Sequence, residues 1–171
     1  HKEKDIGIIH YEHITAPDPP TIPVEELSDV LDQSIIKGLK EYGFSGVLEF
    51  QDESIRKILS GKNTIISAPT GSGKTEAFTI PILQKILKNP SAGVVALFVY
   101  PLNALIDDQV SKIKKLIEDC GLGNKIAAYS IHGGQDSRYK DTIISESEKK
   151  SLILATNFDF INFHLILQDK K

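Results

Sequence analysis

The stretch Ala68-Pro69-Thr70-Gly71-Ser72-Gly73-Lys74-Thr75 restricts the fold of this chain more than any other feature. Gly71 and Gly73 let the backbone curl so that successive N–H groups converge on one point at a helix N-terminus. Lys74 brings a point charge to that point, and Thr75 a hydroxyl one residue further on. Such a loop grips phosphates only when a strand delivers it and a helix receives it. The apolar segment Asn63–Ser67 and the amphipathic stretch running to about Leu87 supply that setting. The pattern predicts a site for the β- and γ-phosphates of ATP, with the Thr75 hydroxyl placed to ligate Mg²⁺.

The chain beyond the loop alternates in the way such a site requires. Val94–Tyr100, Ile126–Ile131 and Leu152–Ala155 read as buried strands. Leu102–Asp119, a polar stretch after residue 134, and Phe158 to about Leu167 read as helices. Upstream, Leu27, Val30, Leu31, Ile35, Leu39 and Tyr42 recur at helical spacing from Pro23 to Tyr42, with Gly43 as the stop. A short helix follows over Asp52–Leu59. Residues 1–23, with Pro17, Pro19, Pro20 and Pro23, read as an extended lead-in. Residues 24–171 then form an α/β unit with a parallel sheet covered by helices on both faces. Ligands of such sheets bind at the carboxyl ends of the strands.

Composition narrows the setting. A length of 171 residues suffices for one domain with a sizeable core. No apolar run is long enough to cross a bilayer, and no signal-peptide pattern opens the chain. The one cysteine, Cys120, allows no internal disulfide and suits a cytoplasmic or nuclear compartment. The net charge of −3 gives no broad attraction to nucleic acid. Lys112, Lys114, Lys115, Lys125, Arg138 and Lys140 could build a local positive field, or simply solvate helix faces. No methionine is present, so the sequence reads as a piece of a longer reading frame.

Four stretches carry a family resemblance, spanning about Pro23 to Leu167. "SAPTGSGKTEAFTIPIL" resembles the first motif of superfamily 2 helicases, whose loop often opens with alanine. "GFSGVLEFQ", Gly43 to Gln51, resembles the Q motif of DEAD-box proteins in length, in its Gly-Phe opening and in its final glutamine. Val47 and Leu48 depart from the proline and threonine or serine usual there, and no aromatic residue stands near Glu26. "VYPLNALIDDQ" resembles the next helicase motif. "ATNFDFINFHLI" resembles the one in which Thr-Pro or Thr-Asn follows a strand. "IHGGQDSR" suits either the glycine loop of helicases or an ordinary turn. A transporter-signature reading of its Gly-Gly-Gln fails, because the strand that follows ends in Ala155-Thr156 and not in an acidic pair.

The resemblance implies a RecA-like P-loop NTPase fold, ATP and Mg²⁺ as cofactors, and Lys74 and Thr75 as the catalytic residues present. It implies ATP contacts from Ala68, Pro69, Thr70, Gly71, Ser72, Gly73, Lys74, Thr75 and Glu76, with Gln51 reading adenine. It implies nucleic-acid contacts from Pro101, Leu102, Asn103, Gly133, Gly134, Thr156 and Asn157. The family's Asp-Glu motif comes on the next strand, past Lys171, and its arginine fingers come from a second RecA-like domain. Negligible turnover is therefore expected from these residues alone. The likeness to Lhr-like and MrfA-like DNA-repair helicases favours single-stranded or duplex DNA over RNA as partner. A DEAD-box-like RNA helicase is the alternative. A nucleoside or small-molecule kinase would need an arginine-bearing lid, and Arg56 and Arg138 are the only arginines. A non-catalytic nucleotide-sensing module is the remaining reading.

Overall fold

Three apolar stretches of the sequence can satisfy their backbone groups only by pairing, and they do so with one another. In the computed structural model, which describes residues 19–133 and 136–163, strands β3 (Gly93–Tyr100), β4 (Ile126–Ser130) and β5 (Ser151–Asn157) form a parallel sheet in the order β3-β5-β4. The central β5 reads Ser-Leu-Ile-Leu-Ala-Thr-Asn and is buried along nearly its whole length, as expected of a parallel strand covered on both faces. Helices α3 (Lys74–Lys88), α4 (Asn103–Asp119) and α5 (Ser137–Ser147) alternate with the strands. A four-residue helix, α6 (Phe158–Ile161), leaves β5. The remainder of the helix expected to run to Leu167 lies outside the described residues.

The upstream part differs from the single helix that periodicity suggests. Val24–Asp29 forms a 3₁₀ helix, and α1 spans Gln33–Tyr42 after a break. Asp32 causes the break. Its carboxylate accepts the Ser34 N–H at 2.9 Å as an N-cap, and its own N–H donates to Gln84 Oε1 of α3 at 2.7 Å. Leu27, Leu31, Ile35 and Leu39 stay buried through the change, because the break keeps their stripe facing the core. The end of the lead-in is not featureless either. β1 (Thr21–Pro23) pairs antiparallel with β2 (Gly46–Leu48), and α2 (Glu49–Leu59) follows directly.

The expected strand Asn63–Ser67 is absent. Residues 62–69 enter no ladder, and Ile65 is 98% exposed. A strand exists only with a hydrogen-bonding neighbour. The outer edge of β3, which carries exposed Val94, Leu97 and Val99, is likewise unpaired among the described residues.

Gly38 of α1 packs directly on Cys120 at the end of α4. A Cβ there would lie 2.4 Å from Cys120 Sγ and 2.5 Å from its Cα. Burial first, then Asp119 and Glu41, push the Cys120 thiol up to about 12. Alanine at position 38 would gain about 1 kcal/mol of helix propensity. Forcing the helices apart costs about 1–3 kcal/mol. Gly38→Ala is therefore expected to lower stability in urea titrations. A native-state thiol assay at pH 8 should find Cys120 unreactive in the parent chain and faster in the variant. The raised thiol pKa stabilises the fold fully below the unfolded value of about 8.5, and that contribution is lost as pH climbs from there toward 12.

Candidate nucleotide and nucleic-acid site

The loop between residue 67 and α3 takes the shape its glycines permit. Gly71 and Gly73 adopt φ of 78° and 83°, in the left-handed region, and Gly73 is the N-cap of α3. The loop thus delivers residues 71–75 onto the positive end of a fifteen-residue helix. In front of it lies a cleft of about 720 Å³. Residues 70–76 form one wall, Phe44 another, and Leu105, Asp108, Gln109 and Lys112 of α4 the third. A Cβ on Gly71 would meet nothing within 4 Å. The loop, the open space and the helix end together fit a nucleoside triphosphate.

The structure places seven of the ten expected ATP contacts on the wall of the cleft. Thr70, Gly71, Ser72, Gly73, Lys74, Thr75 and Glu76 line the cleft. Ala68 and Pro69 do not; their carbonyls accept from Lys74 Nζ, each at 2.6 Å. Lys74 thus folds back onto its own loop. Ser72 Oγ donates to the Pro69 carbonyl at 2.7 Å. Thr75 is half-buried at the start of α3. No group of three or more histidine, cysteine or acidic side chains able to hold a metal occurs among the described residues. Thr75 is the residue of this stretch whose hydroxyl could hold a metal ion. Glu76 brings charge close to Tyr100, whose phenol is pushed up to about 12 by burial first and by Glu76 second.

Gln51 stands apart from this wall. It is 3% exposed, and both ends of its carboxamide are engaged. Oε1 accepts from the Leu48 N–H at 2.8 Å, and Nε2 donates to the Gly73 carbonyl at 3.0 Å. The expected adenine reader is thus packed beneath the phosphate loop. Phe44, Leu105, Asp108, Gln109 and Lys112 also line the cleft, and none of them is among the ATP contacts expected from the sequence. No local signal pointed to the α4 residues, because α4 reaches the loop by tertiary packing.

The expected nucleic-acid residues gather at the carboxyl end of the sheet. Parallel register sets Tyr100 beside Asn157, so Pro101-Leu102-Asn103 and Asn157 become neighbours. Asn157 Nδ2 donates to Asn103 Oδ1 at 2.6 Å, and Asn157 Oδ1 caps α6 by accepting the Phe160 N–H at 2.6 Å. His132 Nε2 lies 3.4 Å from Asp107 Oδ1 and brings the glycine loop against α4. Gly133 is exposed beside it, and Gly134 lies outside the described residues. Thr156 corrects the expectation. It is 1% exposed, because β5 is the central strand and is covered on both faces, so its neighbour Ala155 is buried as well. The basic field is weaker than the sequence allows. Lys112 pairs with Asp108 at 2.7 Å and Lys115 with Asp119 at 2.5 Å, while Lys114 and Lys115 lie over the Tyr129 and Tyr42 rings.

A glycine-rich phosphate loop on a helix N-terminus, next to a parallel sheet flanked by helices, defines a RecA-like nucleotide-binding domain of the helicase type. The family model described as DEAD/DEAH box helicase matches residues 48–171, and the chain belongs to that family. It is similar to the ATP-dependent RNA helicase DBP4 of Lodderomyces elongisporus, 32% identical over 133 residues, which covers 75% of this chain and 17% of the relative. Its fold matches the DUF1998 helicase MrfA bound to DNA and AMPPNP, with a TM-score of 0.74 at 23% identity over 92% of this chain and 20% of that one. It also matches the DEAD-box helicase Mss116 bound to ssRNA and UDP-BeF, with a TM-score of 0.69 at 28% identity over 81% and 29%. The chain spans about a fifth of the length of the curated relatives it matches. The expected preference for DNA, and with it a repair role, is not supported. At 23% identity the likeness to MrfA speaks for the fold alone, while DBP4 and the MAK5 protein of Kluyveromyces lactis are named RNA helicases.

Gly71→Ala and Gly73→Ala should separate backbone strain from steric conflict. Both place a side chain at positive φ, at about 1–2 kcal/mol. A Cβ at Gly73 would also lie 2.3 Å from Gln51 Nε2. Urea titration is expected to show Gly73→Ala as the more destabilising of the two, with Gln51→Ala narrowing the difference.

Proposed function

We propose that this chain is the ATP-binding portion of an ATP-dependent RNA helicase. The observation that carries the reading is that one helix borders both candidate sites. α4 starts at Asn103 in the polar cluster at the sheet end, and its Leu105, Asp108, Gln109 and Lys112 wall the cleft before the phosphate loop. A nucleotide held at residues 71–75 and a strand held at Pro101–Asn103 and Asn157 would bear on the same rigid element. RNA is preferred over DNA because DBP4 and MAK5, both above 30% identity to this chain, are named RNA helicases.

In this reading Lys74 leaves the Ala68 and Pro69 carbonyls to neutralise phosphate oxygens, and the amides of residues 71–75 orient them. Thr75 would hold Mg²⁺, which when bound neutralises charge on the β- and γ-phosphates. Asn103 and Asn157 present amide groups to the backbone of the strand, and the exposed Gly133 lets that backbone approach closely. A second RecA-like domain of the full-length protein would close over both ligands and contribute the groups that complete hydrolysis.

Lys74→Ala in the full-length protein is expected to lower RNA-stimulated kcat by about 10²–10³, the usual loss for one electrostatic stabiliser of the transition state. A steady-state phosphate-release assay checks it. Run with single-stranded RNA and DNA of one sequence, the assay should show stimulation by RNA. Equal or greater stimulation by DNA would overturn the substrate assignment and favour the mode of the MrfA complex. Indifference to both would overturn the helicase reading.

A further inference from the structure

The turn that follows β4 is joined to α4 by a side chain to which neither candidate site gives a role. The Ile131 N–H donates to the Ala155 carbonyl at 2.8 Å, after which the chain leaves the sheet. His132 comes next, and its ring lies between two oxygens. Nδ1 is 3.2 Å from the Gly133 carbonyl oxygen, and Nε2 is 3.4 Å from Asp107 Oδ1 of α4. Both oxygens accept, so a ring with one N–H satisfies one of them and an imidazolium satisfies both. Only 15% of the His132 side chain is exposed, against 60% for Asp107, so the ring is seated between the turn and the helix.

Two further observations set this contact beside the candidate strand site. Asp107 lies four residues beyond Asn103 in α4, on the same face of the helix. Asn103 Oδ1 accepts from Asn157 Nδ2 at 2.6 Å. One face of α4 is thus tied to the end of β5 through Asn103 and to the end of β4 through Asp107. Gly133, meanwhile, does not owe its glycine to the fold. Its φ lies outside the left-handed region, and a Cβ there would meet nothing within 4 Å among the described residues. Its backbone is open on that side, while its carbonyl faces the ring of His132.

We infer that His132 is a positioning residue for the nucleic-acid strand: it ties the glycine turn to α4 through Asp107 and so fixes Gly133 relative to Asn103 and Asn157. The inference rests on the strand-binding reading above and names a residue that serves it without touching the strand. Contacts carried by separate strand ends match one sugar-phosphate backbone only if those ends hold still. A turn free to drift must be ordered when the strand binds, which lowers affinity. A contact of this length between partly exposed groups is worth a factor of about two to five. The nucleotide cleft is walled by other residues of α4, where Asp108 accepts from Lys112 Nζ at 2.7 Å. Loss of the His132 link therefore changes affinity for the strand and leaves that for the nucleotide alone.

The test is the ATPase activity of the full-length protein, titrated with single-stranded oligouridylate RNA. His132→Ala is expected to raise the RNA concentration for half-maximal stimulation about two- to fivefold, with kcat at saturating RNA and KM for ATP unchanged. Position 107 reads the link from its other end. Asp107→Asn removes the charge but keeps an oxygen that accepts from the ring, whereas Asp107→Ala removes both. With His132 in place, the Ala variant should need about two- to fivefold more RNA than the Asn variant. In a His132→Ala background the two should need the same amount. Equal RNA demand of the two variants with His132 present would overturn the inference, and so would a fall in kcat at saturating RNA in His132→Ala. If His132→Ala does not fold, the comparison at position 107 decides alone, since that side chain is exposed on a helix. Absence of RNA stimulation in the parent would instead remove the strand-binding reading itself, and the inference with it.

Discussion

Two parallel strands in register must finish side by side, and the β3–β5 ladder turns that geometric necessity into a site. Its pairing runs from Gly93 beside Ser151 to Tyr100 beside Asn157. Residues more than fifty positions apart are thereby delivered to one edge, where Asn157 bonds to Asn103. On the other side, β4 pairs Ser130 with Ala155 and sets the His132–Gly133 turn at the same end. The candidate nucleic-acid contacts depend on this ladder and on the β4–β5 pairing beside it. Both are held by β5, whose Leu152, Ile153 and Ala155 are buried, each larger side chain contributing about 1.5–3 kcal/mol of burial.

Helix α4 connects the sheet edge to the cleft because its two faces have different duties. Ile106, Val110, Ile113, Leu116 and Ile117 fall on one stripe and are buried, which fixes the helix's rotation about its axis. With that stripe committed, Leu105, Asp108 and Lys112 have to point toward the loop. The ion pair of Lys112 with Asp108, four residues apart, keeps this wall close to neutral. An acidic chain can therefore carry a phosphate site without a broad positive surface. The local charge comes from Lys74 and the amide dipoles of α3.

The phosphate loop draws its support from helices. The segment that leads into it, residues 62–69, makes no ladder, so the loop's position rests on α3 behind it and on α2 beside it. α2 contributes through Gln51, whose hydrogen bond to Gly73 joins elements separated by 22 residues. Arg56, further along α2, anchors the same helix to the 3₁₀ turn through Asp29 at 2.5 Å and to its own Asp52 at 2.8 Å. Upstream sequence with no motif of its own thereby becomes part of the nucleotide site.

Local pattern alone specified the loop, the three sheet strands, and helices α2, α3 and α4 to within a few residues, because period and glycine placement are properties of neighbouring residues. The resemblance of two motifs to those of helicases pointed to Pro101–Asn103 and Asn157 as candidate contacts, although not to their hydrogen bond. Tertiary structure alone decided the rest. It broke the upstream helix at Asp32, since only packing on α3 offers Gln84 as partner. It left Asn63–Ser67 without strand structure, since a strand is made by its neighbour. It buried Thr156, and it set Gln51 against the Gly73 carbonyl while Phe44 came to the cleft wall. Each of these outcomes depends on which group from a distant segment occupies the next few ångströms, and no local spacing encodes that.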